Sequence, residues 1–216
     1  MKFLIKVSMF AAALGLLLGA GLSPASASAT GSTPDLVTEF DQQITQLGLS
    51  SDVQQQIVGK FDDLSVDDQR QTLGALESNP ADLFTTGEAV STTTITPAGN
   101  GDVARAAMAT YTVTSTNSFQ NYMLGVSIGN WNQRYVYTTG NNRVLGDYTC
   151  DGWYSGFSGF VSVSPQSSKW IANGLGNCIT KFYGSLVYKG SSISLNKEMG
   201  MTVNGPGIVR TWLNNI

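Results

Sequence analysis

Histidine is absent from the chain. That removes Ser-His-Asp and Cys-His nucleophile systems, histidine general bases and imidazole-bearing zinc sites. Ser-Lys chemistry stays open. Charge is scarce as well: Asp, Glu, Lys and Arg make up 12% of the residues, against roughly 25% in an ordinary globular domain. The net charge of −3 gives no overall attraction to a polyanion, so no nucleic-acid partner is expected. Neither a phosphate loop of the G-x-x-x-x-G-K type nor an EF-hand spacing occurs. The acid pairs Asp62-Asp63 and Asp67-Asp68 lack the spacing of a calcium loop and read as solvated acids at helix ends. These residues therefore call for no cofactor and no metal ion.

Long apolar runs are missing except at the N-terminus. There, Lys2 and Lys6 precede an apolar stretch over residues 7–22, and small residues follow as Ala25-Ser26-Ala27 or Ala27-Ser28-Ala29. Positive head, apolar middle and small-residue exit make a secretory signal peptide of residues 1–29. An uncleaved anchor is the competing reading, but the run falls short of the ~20 residues a spanning helix needs. The mature protein is expected to be secreted, with no transmembrane segment. Cysteine is rare too, only Cys150 and Cys178. In an exported chain with no histidine to activate a thiol, that pair predicts a disulfide.

What the chain does contain is unevenly spread. Residues 29–100 hold eleven acidic side chains and two basic, a net of −9, whereas residues 101–216 hold four acidic and eight basic, a net of +4. The acidic part, residues 30–84, is helical in pattern. Leu36, Val37, Phe40, Ile44 and Leu47 recur at helical spacing up to Gly48; Val53, Ile57 and Phe61 share a second face. Ser65 with Asp68 resembles a capping box opening a third helix, which carries Leu73 and Leu76 and stops at Asn79-Pro80. So few apolar groups make a thin core, and the stripe needs a partner surface. Residues 85–107, rich in Ser, Thr, Gly and Ala, read as a linker with one strand near residues 92–96.

From residue 108 to 216 the period becomes two. Tyr122, Leu124, Val126 and Ile128 alternate with small or polar residues, as do Met199, Met201 and Val203. Thr139-Gly140-Asn141-Asn142 marks a turn between strands. Further strands are expected at 109–115, 157–164, 178–188, 191–196 and 208–213. The fold class is therefore α+β: a small acidic helical segment followed by an antiparallel β-sandwich or small barrel with one disulfide.

Two stretches offer candidate site residues. In NWNQRYVYTT, Trp131, Tyr135 and Tyr137 share a parity, with Arg134 and Arg143 close by; exposed aromatics stack on sugars and the bases meet anionic groups. The bland alternative is ordinary strand tyrosines. In GDYTCDGWYSGFSGF, Trp153 and Phe157 are expected to pack against the disulfide and Tyr154 to face solvent. Of the acids in this half, Asp147 and Asp151 would share one strand face about 13 Å apart, too far for a glycosidase pair, unless Asp151-Gly152 forms a turn; Glu198 could join either from a distance.

The expected role is non-enzymatic: the basic β domain binds an anionic cell-envelope polymer, a glycan or a protein surface, and the acidic segment masks it as a possible prodomain. A toxin or bacteriocin with an acidic propeptide, and a carboxylate-dependent hydrolase, are the alternatives.

Overall fold

The computed structural model describes residues 35–97, 110–156 and 161–216. The signal sequence and the core position foreseen for Phe157 lie outside that range. Three helices come first: α1 (Leu36–Thr45), α2 (Ser51–Asp62) and α3 (Val66–Ser78). Asp35 caps α1 by accepting from the Val37 amide at 3.2 Å, and Gly48, at φ +67°, lets the chain leave it. Ser65 caps α3 in the expected box, accepting from the Asp68 amide at 3.3 Å while its hydroxyl reaches Asp68 Oδ2 at 2.6 Å. After Asn79, a 3-10 turn (Pro80–Leu83) leads into the strands.

Among the described residues nine strands follow: β1 (Phe84–Pro97), β2 (Tyr111–Met123), β3 (Val126–Gly140), β4 (Arg143–Gly156), β5 (Val161–Ala172), β6 (Leu175–Tyr188), β7 (Ser191–Ser194), β8 (Lys197–Val203) and β9 (Ile208–Asn215). All pairings are antiparallel. One sheet has the order β1-β2-β3-β4; the other has β5-β6-β8-β9, with β7 also on β6. The two sheets face each other as an open sandwich, not a closed barrel. The β3–β4 turn is made by Asn141 and Asn142 at φ +53° and +59°, the left-handed pair that a two-residue hairpin demands.

The expected linker is corrected in its first half. Phe84–Pro97 is a 14-residue strand, paired with β2 on both sides of a register shift between Thr86 and Ala89. Its threonines favour strands, but as an edge strand it is exposed on both faces, so it shows none of the apolar alternation by which strands are recognised.

Inner faces of the sandwich carry Val113, Phe119, Trp131, Tyr135 and Tyr137 from one sheet and Cys178, Phe182, Met199, Met201 and Val203 from the other. Gln133, fully buried, crosses between them: its Nε2 lies 3.2 Å from Cys178 O, 3.1 Å from Thr180 Oγ1 and 3.2 Å from Met199 O. A disulfide joins Cys150 of β4 to Cys178 of β6, stapling one sheet to the other.

The helices find their partner surface at one end of this sandwich. Phe40 and Phe61 stack at 3.9 Å, and with Ile44, Leu47, Ile57, Leu73 and Leu76 they share one cluster with Met123, Val126, Ile128, Leu186 and Tyr188. Tyr188 donates its hydroxyl proton to Gln43 Oε1 at 2.8 Å, and Lys189 meets Glu77 at 3.7 Å. Helices and sheets thus form one unit. Apolar burial, not the charge asymmetry, joins them.

Candidate functional site

The six residues expected to bind are dispersed. Trp131, Tyr135 and Tyr137 point inward and are 1%, 0% and 0% exposed. Their shared parity on β3 is the core parity, so they are corrected from surface to interior. Burial pushes the Tyr135 and Tyr137 hydroxyls above their ordinary range, as expected for phenols taken from water. Arg134 is on the opposite, outer face, paired with Asp151 at 2.6 Å. Arg143 is exposed at the start of β4, beside the Gly174 turn. Nothing brings it to Arg134.

Trp153 and Tyr154 are the reverse of the expectation. Tyr154 packs inward on Trp131 with ring centroids 4.7 Å apart, and its hydroxyl donates to Ile128 O at 3.3 Å. Burial holds its phenol up to about 12. Trp153 faces solvent, 42% exposed. Cys150 fixed this phase: its sulfur must point at the other sheet, so Gly152 and Tyr154, two and four residues on, point inward too.

The carboxylates do not assemble. Asp151-Gly152 is no turn but mid-strand, opposite Arg134 and Gln133. A register shift at Tyr148 puts Asp147 opposite inward-facing Tyr137, on the other side of β4 from Asp151. Glu198 lies on the second sheet, 3.7 Å from Lys181. Two serine patterns not expected from the sequence are present, and neither is assembled as a nucleophile site. Gly125-Val126-Ser127-Ile128-Gly129 is of G-x-S-x-G form, but it opens a strand directly after a hairpin turn, without the following helix of a nucleophile elbow. Ser194 and Lys197 have S-x-x-K spacing, yet they end β7 and begin β8, and Lys197 donates to Asn215 Oδ1.

One surface does gather recognisable chemistry, and its residues went unremarked in the sequence. The outer face of the five-stranded sheet is built in cross-strand rows. Trp170, Asn177, Thr202 and Arg210 form one; Ser168, Ile179, Gly200 and Trp212 the next; Gln166, Lys181, Glu198 and Asn214 the third; Ser164 and Tyr183 the fourth. Neighbouring strands are ~4.8 Å apart and neighbouring rows ~6.8 Å. Trp170 and Tyr183 are 42% and 40% exposed. The Trp212 ring lies flat over Gly200: a Cβ there would fall 1.9 Å from Trp212 Cζ2. Arg210 stands over the same ring, its Cζ 5.2 Å from the centroid. Thr202 donates its hydroxyl to Asn177 Oδ1 at 3.1 Å.

Among the described residues this face is a platform of three aromatic rings with amides, hydroxyls, the Arg210 guanidinium and the Lys181–Glu198 ion pair set between them. Rings of this kind stack on the apolar faces of sugars, while the groups between them exchange hydrogen bonds with hydroxyls. A signal existed only on β9, where Trp212 has the parity opposite to Leu213; β5 is largely exposed on both faces and gave none for Trp170. Comparison with protein-family models, with curated proteins and with solved structures finds no match.

Proposed function

We propose that this is an exported, non-enzymatic binding protein that holds a cell-envelope or surface glycan, anionic groups included, on the outer face of its five-stranded sheet. The observation that carries the reading is the placement of Trp170, Tyr183 and Trp212 on one solvent-facing sheet surface, with Gly200 making room for the Trp212 ring. Arg210 supplies the attraction to carboxylate or phosphate groups on the polymer. In this reading the acidic helices stay attached as a cap on the sandwich, because removing them would bare Met123, Val126, Ile128 and Leu186, an apolar surface costly to expose.

The test is co-sedimentation with purified peptidoglycan, intact and stripped of its anionic polymer. Trp170→Ala is expected to weaken binding about tenfold, the loss of ~1.4 kcal/mol of stacking. Trp153→Ala, on the outer face of the other sheet, serves as the control and leaves binding unchanged. Arg210→Ala weakens binding to the intact polymer more than to the stripped one. Equal binding by wild type and Trp170→Ala sinks the proposal.

A further inference from the structure

The long outer strands of the two sheets, β1, β4, β5 and β9, are not treated alike. Outer backbone groups of β4 are capped by Lys169, whose Nζ donates to Asp147 O and Tyr148 O, both at 2.7 Å. β5 carries Pro165 in mid-strand in addition to Lys169. β9 has only eight residues, shifts register against β8 between Thr202 and Val203, and carries Arg210. Lysine, proline, short length and bulges are the devices by which natural sheets stop further strands from adding. β1 uses none of them between Ala89 and Thr96. Its register there is unbroken, it holds no Lys, Arg or Pro, and Val90 and Ile95 are 62% and 51% exposed. Over that stretch its own side chains are exposed on both faces.

We propose that the occupant of this edge is a second copy of the chain, β1 pairing antiparallel with β1 about a two-fold axis at Thr92. The two four-stranded sheets then become one sheet of eight strands, an isologous contact. Self-complementarity of the strand is the argument for this partner. About Thr92, Ala89 falls opposite Ile95, Val90 opposite Thr94 and Ser91 opposite Thr93. The one charge nearby, Glu88, meets Thr96 and not its own copy, and Pro97, which has no amide to give, stays outside the paired stretch. Threonine pairs and apolar pairs directly opposite each other are favourable cross-strand combinations.

The register supplies its own test. Val90→Lys with Thr94→Lys sets lysine opposite lysine twice across the two-fold, at exposed positions outside the core. Sedimentation velocity of the full chain at micromolar concentration is expected to show a dimer for wild type and a monomer for the lysine pair, the Kd rising about a hundredfold, with the melting temperature of each protomer unchanged. Mixing the lysine pair with the Val90→Glu, Thr94→Glu variant is expected to restore a dimer containing one of each. If the lysine pair fails to fold, the glutamate pair alone poses the same like-charge opposition. A wild type that stays monomeric, a dimer indifferent to both variants, or the failure of the mixture to associate overturns the proposal.

Discussion

Gly200 shows how much a single missing side chain can decide. Its hydrogen is what lets the Trp212 ring settle on the sheet, and a branched side chain there has nowhere to go but into that ring. Gly200→Val is therefore expected to lift Trp212 off the platform and lower glycan affinity, with a destabilisation on the order of 1–3 kcal/mol from overpacking. Titration with peptidoglycan fragments alongside a denaturant melt checks both effects. Unaltered affinity would show that the ring's position is irrelevant to binding. Such positions are hard to foresee in a sequence, because a glycine in a strand signals closeness without saying to what. Side-chain direction was more accessible than the sequence reading made it. The half-cystine at 150 fixes which residues of β4 look inward, and that assigns Tyr154 to the core and Trp153 to solvent. What could not be read was the register shift at Tyr148, which turns Asp147 away from the face of Asp151.

Elements were legible wherever burial was one-sided. The helices, the Ser65 cap and the β3–β4 turn were all legible from local chemistry, whereas the Asp35 cap of α1 was not foreseen. β1 was foreseen only as a short strand near residues 92–96, since an edge strand exposed on both faces has no apolar period to mark its full length. Between helices and sheets, the telling contact is Tyr188 with Gln43. Burial first, and the Glu77 carboxylate second, push the Tyr188 phenol up from 10.0 to about 12. A raised acid favours its neutral form when folded, so its contribution is intact below pH ~10 and is lost as pH rises through ~12. The helical circular dichroism is expected to become easier to melt over that window, and Tyr188→Phe to flatten the dependence while costing about 1 kcal/mol at neutral pH through the unmatched Gln43 oxygen. A melting temperature constant from neutral pH to pH ~12 would contradict this.

On the scale of the whole molecule, composition pointed to two bodies past residue 34, and the described helices and sheets form one. The charge difference between the halves is real in the sequence, but charge at a solvated surface binds weakly. The scattered apolar residues of three short helices, each set too small alone, combine with the end of the sandwich into one cluster. Spacing along the chain could not show that meeting, because it is made between residues such as Gln43 and Tyr188 that are far apart in sequence. The prediction of a disulfide, by contrast, needed only the count of cysteines and the expectation of export.

That bond also decides how the protein would behave under load. In the proposed role the protein is pulled whenever the bound polymer moves, and tension entering from the two ends reaches β4 and β6 before anything between them. With Cys150 and Cys178 joined, the intervening loop, a separation of 28 residues, is bypassed by the force. Fully stretched it would have added about 95 Å of chain. Single-molecule extension of the oxidised protein is expected to end short of the reduced protein by about that length, and the Trp170 end of β5, which lies inside the loop, would stay unstretched after the outer strands have given way. Identical final extensions with and without reductant would show that tension runs through the loop after all.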